Sequence, residues 1–210
     1  MVDVAVVDYG MGNLRSVEQA LHNVAPASEI VVTDDAGVIA NASRVVFPGQ
    51  GAMPDCMREL DARGLRDAVL LAARSRPFLG ICIGLQMLFE HSEEGDVIGL
   101  GILHGKVVRF ASHMHDAQGN KLKVPHMGWN QVHHGQHPLW DGIAQDARFY
   151  FVHSYYVQPQ DASLVQATSQ YPRSFVCAVA QGNLFAVQFH PEKSQAAGLK
   201  LLQNFMQWNP

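Results

Sequence analysis

Along the first half of the chain, short unbroken apolar runs alternate with stretches in which apolar residues recur every three or four positions. Residues 2–7 are apolar but for Asp3 and stop at Asp8-Tyr9-Gly10-Met11-Gly12, the pattern of a buried strand ending in a glycine-rich turn. After Asn13, in N-cap position, Leu14, Val17, Leu21 and Val24 fall at steps of three, four and three, which is one stripe of a helix. Further strands are predicted over 30–33, 44–47 and 77–82, with a helical stretch over 65–74. This alternation predicts a parallel sheet with helices on both faces.

From about Leu103 the rhythm changes to short strand-like runs with polar breaks, over 106–110, 121–124, 129–132, 149–157 and 175–180, which predict antiparallel hairpins. An apolar strand over 184–189 and a closing helix whose Leu199, Leu202 and Met206 share a face complete the pattern. With 210 residues and neither repeat nor linker, the expectation is one α/β domain over 1–210. Its central sheet is expected to be mainly parallel, with an antiparallel segment in the C-terminal half.

Composition narrows the partners. Fifteen Lys plus Arg against nineteen Asp plus Glu give a net charge of −4, so no basic surplus exists to neutralise a phosphate backbone, and nucleic acid is not expected. The N-terminal segment carries Asp3 where a secretory signal needs positive charge, and no apolar run approaches the ~18 residues of a membrane span. A cytoplasmic protein without membrane contact is the expectation. Cys56, Cys82 and Cys177 are odd in number and far apart, which excludes a disulfide framework or paired zinc ligands and leaves at least one free thiol.

Cys82 carries the strongest chemical signal. It lies in Gly80-Ile81-Cys82-Ile83-Gly84, between an apolar strand and the helical pattern of residues 85–89. This is the spacing of a nucleophile elbow with sulfur in place of oxygen, where glycine is needed because flanking side chains would clash in so sharp a turn. A cysteine at a helix N-terminus is held where the dipole and free N–H groups favour its thiolate. Taken alone, the motif reads equally well as a structural cysteine between two packing glycines.

A thiolate nucleophile needs a base, and the base an orienting group. Of eleven histidines, His190 follows the apolar run 184–189 and so sits at the carboxyl end of a strand, the edge along which open α/β sheets build their sites. Glu192 lies two residues on, across Pro191, within reach of the imidazole. Without Cys82, a histidine capping a loop would be the preferred reading. Residues 45–51 form another strand ending in a glycine turn, Gly49-Gln50-Gly51, whose N–H groups with that of Ile83 are candidates for an oxyanion hole. A plain strand-to-helix turn explains that segment equally well.

Residues 80–86 and Phe189-His190-Pro191-Glu192, two distant motifs in matching order, resemble the triad-type class I glutamine amidotransferases. Asp8-Tyr9-Gly10-Met11-Gly12-Asn13-Leu14, Pro125-His126-Met127-Gly128-Trp129-Asn130, residues 150–155 and His190-Pro191-Glu192-Lys193-Ser194 are similar, more narrowly, to the glutaminase subunits that serve imidazole glycerol phosphate synthases of histidine biosynthesis. The resemblance spans nearly the whole chain. It implies that Cys82 attacks the side-chain amide of glutamine, that His190, oriented by Glu192, protonates the departing ammonia, and that a glutamyl thioester is then hydrolysed. In such enzymes ammonia travels through a tunnel to a separate cyclase barrel, where it reacts with a ribulosyl aminoimidazole carboxamide ribonucleotide.

By the same resemblance, Gly49, Gln50, Gly51 and Gln86 contact substrate glutamine, and the His153-Ser154-Tyr155 backbone meets its amino-acid end. The N–H groups of Gln50 and Ile83 form the oxyanion hole, and Asn13, Trp129, Tyr150 and Lys193 face the cyclase. Gln50 departs from the valine usual between the two glycines.

No cofactor or metal is called for. Gly10-x-Gly12 is followed by Arg15 where a dinucleotide fingerprint needs its third glycine, and Gly105-Lys106 lacks both the earlier glycine and the Ser or Thr of a phosphate loop. The histidines at 113, 115, 126, 133, 134 and 137 form a local concentration but lack carboxylate or thiolate partners at ligand spacing, and His113-x-His115 reads as a solvated face. Residues 90–96 read as a solvated helix end and loop. The alternatives are an amidotransferase serving another synthase, a stand-alone cysteine hydrolase, and a non-catalytic binding module that has kept the fold.

Overall fold

The computed structural model describes residues 2–116 and 118–210. In chain order the first half contains β1 (Val4–Val7), α1 (Leu14–Val24), β2 (Ile30–Thr33), α2 (Ala36–Asn41), β3 (Arg44–Gly49), α3 (Met53–Ala62), α4 (Arg66–Ser75), β4 (Phe78–Cys82) and α5 (Ile83–Gln86). The second half contains β5 (Phe89–Ser92), β6 (Val97–Ile98), β7 (Leu103–Arg109), β8 (His126–His134), β9 (Ala147–His153), β10 (Tyr155–Pro159), β11 (Val165–Gln170), β12 (Ser174–Gln181), β13 (Leu184–Val187) and α6 (Gln195–Gln207).

The sheet runs β2-β1-β3-β4-β13-β12-β10-β7-β5-β6, with β11 joining β12 to β8 and β9 beyond β8. From β2 to β13 every pair is parallel. β12 reverses the direction, and antiparallel pairing continues through β10 to β7 and through β11 and β8 to β9. The expected fold class is the one observed: a mixed α/β sheet, parallel at its centre, with its antiparallel strands in the C-terminal half. The chain moves one way from β1 to β2 and the other way from β2 to β3 and β4. Right-handed crossovers therefore put α1 on one face and α2, α3 and α4 on the other. α1 packs with α6, and α2 with α4, as that requires.

Burial follows the predicted stripes. Val17 and Leu21 of α1 are buried in the core, and Leu14 and Val24 pack partly against it. β1, β4 and β13 are buried along their whole length, which is why their sequences read as continuous apolar runs.

Several elements differ from the sequence expectation. Asn13 stands at the N-cap of α1, but its carboxamide oxygen accepts the Ser16 hydroxyl (3.0 Å) and caps no helix N–H. The helical pattern after Cys82 lasts one turn; Leu88 and Phe89 are pulled into the core and Phe89 opens β5, so residues 90–96 are strand and turn, not a helix end. Residues 121–124 make a single bridge, His115 with Lys121, because the Asp116 carboxylate collects the N–H groups of Gln118 and Asn120 into a tight turn. The run 149–157 breaks at Ser154, where the chain leaves the β8 pairing of β9 and joins β7 and β12 as β10. On α6 the buried apolar residues are Leu201, Leu202 and Phe205, with Leu199 and Met206 at the margin.

Candidate active site

β3 and β4 bring Gly49 and Cys82 into register at their carboxyl ends, and β13 ends beside them with Val187 opposite Ile81. Cys82 takes φ 56° and ψ −111°, a backbone conformation that side chains rarely adopt and that costs on the order of 1–3 kcal/mol. The turn holds because its neighbours leave no room for anything else. A Cβ on Gly84 would lie 1.9 Å from the Phe47 carbonyl oxygen, and one on Gly80 would lie 3.0 Å from the Ala186 Cβ. Glycine at these positions lets α5 press directly onto β3 and aims the sulfur into the cavity beyond the strand ends.

That cavity has a volume of about 310 Å³, and Cys82 and His190 both line it. Nδ1 of His190 donates to Oε1 of Glu192 at 2.8 Å, and the two side chains are 5% and 1% exposed. Nδ1 being occupied, Nε2 is the nitrogen left for the chemistry; it is buried and has no hydrogen-bond partner among the described residues. Burial alone would lower the His190 pKa, but the charge of the nearby Cys82 sulfur, reinforced by Glu192, raises it to about 10. The sulfur on one side and the Glu192 carboxylate on the other thus both favour the protonated imidazole.

The imidazole is also held from behind. The His190 N–H donates to the Tyr150 carbonyl at 2.9 Å, and the Ser194 hydroxyl donates to the His190 carbonyl at 2.6 Å while accepting the Tyr150 N–H at 3.0 Å. One serine thus couples the backbone of β9 to that of His190.

Of the remaining sequence candidates, Gln50, Gly51, Ile83, Gln86, His153, Ser154 and Tyr155 line the same cavity, and so does Lys193. Gly49 sits under it, pinned by the Tyr9 hydroxyl, which a Cβ there would meet at 2.1 Å. The Gln50 carbonyl accepts the Cys56 thiol at 3.5 Å, and burial pushes that thiol up to about 11. Trp129 and Tyr150 meet edge to face at 6.1 Å on the paired strands β8 and β9, and Trp129 remains 41% exposed with Met127 on the same strand face at 62%. Asn13 is not among the cavity's lining residues.

Sequence reasoning missed four groups. Glu94 lines the cavity and accepts the Met53 N–H at the start of α3 (2.9 Å); only its place in an acidic run marked it. Gln188 is fully buried beside Cys82, and its position one residue from Phe189 and two from His190 was the available signal. His126 stood out in the sequence only within a local concentration of histidines and the 125–130 motif; it is buried, its Nδ1 lies 2.9 Å from Nε2 of His153 and its ring stacks on Tyr171 at 4.1 Å. Burial lowers its pKa to about 4 and that of His153 to about 3, so both rings are neutral. His134, from the same concentration of histidines, stacks on Trp140. Tyr9, beneath the Gly49-Gln50-Gly51 turn, is the fourth. All three cysteines are free thiols.

Comparison with known proteins agrees with this architecture. The chain resembles solved structures described as "Crystal structure of glutamine amidotransferase" (TM-score 0.71, 19% identity, 98% of this chain and 97% of that one) and "Structure of PurLQS from Thermotoga maritima" (TM-score 0.70, 19% identity, 97% of each chain), which establishes the fold. It is 68% identical to the imidazole glycerol phosphate synthase subunit HisH of Thiobacillus denitrificans, over 100% of this chain and 92% of that one. It is 65% identical to the protein of the same name from Aromatoleum aromaticum, over the full length of both. The model of the family "Glutamine amidotransferase class-I" matches residues 5–208, and the chain belongs to the class-I glutamine amidotransferases.

Proposed function

We propose that this chain is the glutaminase subunit of an imidazole glycerol phosphate synthase, releasing ammonia from glutamine for a cyclase partner in histidine biosynthesis. The observation that carries the reading is the buried Cys82–His190–Glu192 line at the floor of a cavity, in a chain alike over its whole length to subunits of that synthase. The protein acts as a single domain in the cytoplasm; among the described residues no helix is long and apolar enough to cross a membrane.

The chemistry follows from the protonation state. The Cys82 thiolate attacks the side-chain carbonyl carbon of glutamine; a C–S bond forms and the carbonyl electrons move onto oxygen, where the N–H groups of Gln50 and Ile83 receive the charge. As the oxyanion collapses, the C–N bond breaks and His190 gives its Nε2 proton to the leaving nitrogen, so ammonia departs neutral. His190, now a base, takes a proton from water as that water attacks the thioester, the C–S bond breaks, and glutamate leaves. Glu192 keeps the Nδ1 proton in place throughout and stabilises the imidazolium. Gln86 and the 153–155 backbone hold the substrate's amino-acid end, with Gly49 and Gly51 shaping the turn beneath.

The exposed Trp129 and Met127, with Tyr150, form the apolar part of the cyclase-docking surface, and Lys193 connects it to the cavity. Asn13 completes that surface. The experiment is glutamate release by the purified chain, alone and then with a cyclase subunit and its ribonucleotide ligand, beside a Cys82→Ala control. A large thiol-dependent rise on adding both supports the reading, and Trp129→Ala weakens the rise by about tenfold at limiting cyclase, the loss of one interfacial anchor. Full activity in the chain alone rejects tunnel coupling, and glutamate release by Cys82→Ala rejects the assignment altogether.

A further inference from the structure

We infer that Gln188 is a catalytic residue of this site, a hydrogen-bond donor to the Cys82 sulfur; the inference rests on the reading of Cys82 as the nucleophile. The elbow helix α5 has only four residues, too short for an appreciable macrodipole, so stabilisation of a thiolate must come from elsewhere. Gln188 supplies it. Its Nε2 lies 3.8 Å from the Cys82 Sγ, and the residue is completely buried, where a donor to an anion is screened least.

The orientation of this amide is fixed by its surroundings. Nε2 of Gln86 lies 3.1 Å from the Tyr155 carbonyl and 2.9 Å from Oε1 of Gln188. A carbonyl only accepts, so the Gln86 nitrogen must be at that position, and its two protons serve both partners. Oε1 of Gln188 must then face Gln86, which turns its Nε2 to the sulfur. The Tyr155 carbonyl is itself held by Nδ1 of His153 at 2.8 Å. Nε2 of His153 therefore accepts from Nδ1 of His126, and Nε2 of His126 accepts from the Asn130 amide at 3.2 Å, whose nitrogen also donates to the Gln170 carbonyl at 2.8 Å. Two backbone carbonyls, on Tyr155 and Gln170, set the polarity of the whole line from β8 to the nucleophile.

The arrangement leaves Oε1 of Gln86 buried and without a partner among the described residues, an acceptor facing the substrate cavity. The two glutamines divide the work: Gln86 offers its oxygen to the substrate, and Gln188 offers its nitrogen to the sulfur. During turnover the Gln188 N–H favours the thiolate over the thiol before attack and again when the thioester C–S bond breaks.

The test is the pH dependence of Cys82 alkylation by iodoacetamide in the full chain, read by peptide mass spectrometry so that Cys56 and Cys177 do not contribute. Gln188→Met removes the donor, and the isosteric Gln188→Glu replaces it with a charge. The expected result is an alkylation midpoint raised by about one pH unit in Gln188→Met and further in Gln188→Glu, with kcat down about 10–100-fold and KM changed less. Unmoved midpoints in folded variants overturn the inference. Should the variants fail to fold, the side-chain amide signals of Gln188 in the unaltered chain decide it. They must shift with pH at the alkylation midpoint and lose that shift in Cys82→Ala, and signals that do not respond to the thiol overturn it. Glutamate release by Cys82→Ala is the separate result that rejects the nucleophile itself.

Discussion

In the parallel half of the sheet, Gly49, Cys82 and the approach to His190 are placed by backbone alone, through register, glycine contacts and one strained residue. In the antiparallel half, His126 and His153 are placed by side-chain hydrogen bonds and ring stacking, on strands whose outer face exposes Met127 and Trp129. Both halves contribute to one cavity, and the seam between them is the antiparallel pairing of β12 with β13. The difference assigns them different tolerances. Backbone-placed groups fail through steric change, whereas the hydrogen-bonded groups fail through protonation, because the bonds that His153 accepts from His126 and His126 accepts from Asn130 require both imidazoles to be neutral.

The largest effect is expected where the two means of support meet, at the imidazole. Glu192→Gln keeps the shape but offers a carboxamide where Nδ1 needs a carboxylate, so the ring loses its charge partner and its fixed tautomer. Glutaminase kcat falls about 10²–10⁴-fold while the melting temperature changes little. A loss of a few-fold would show that another group orients His190.

A purely steric break follows from Gly84→Ala. The added methyl would overlap the Phe47 carbonyl at 1.9 Å, and backbone on both sides must move. Destabilisation of about 3 kcal/mol, a fall of roughly 10 °C in melting temperature, is expected, together with loss of activity at temperatures where the chain is still folded. An unchanged melting curve would contradict the account of the elbow.

The smallest effect separates the halves by pH. His126 and His153 have folded pKa values of about 4 and about 3, below the ordinary histidine value, because burial disfavours their charged forms. The unfolded chain therefore binds more protons below pH 6.5, and stability present above that value is lost as pH falls toward 3–4. Between pH 7 and pH 5 urea unfolding should lose up to about 2 kcal/mol per ring. NMR of both rings should show them still neutral at pH 5. Rings that titrate near pH 6.5 would place them outside the buried network.

What the sequence revealed follows the same division. The strands of the parallel core are buried on both faces and end in glycine turns, so β1, β3, β4 and β13 were legible, and with them Cys82, His190 and Glu192. The short helices α2 and α3, and the strands β5, β6 and β11, were not, because their lengths and half-buried patterns carry no clear period. Elbow geometry was legible while the one-turn length of α5 was not, since the apolar residues 87–89 suit a helix and a buried strand equally. The polar network was missed for a related reason. A histidine in a polar-looking segment reads as surface until the packing of Phe110, Tyr171 and Phe175 around it is known. Gln188 carries no motif of its own and acquires meaning only from the amide of Gln86.

The most direct test of the central claim is acid quench of the chain during turnover with glutamine and the activating partner, followed by mass spectrometry of the peptide containing Cys82. A covalent γ-glutamyl thioester on Cys82, adding about 129 Da and discharged by hydroxylamine, is the predicted result. Turnover with no adduct on Cys82, or with the adduct on another residue, would contradict it.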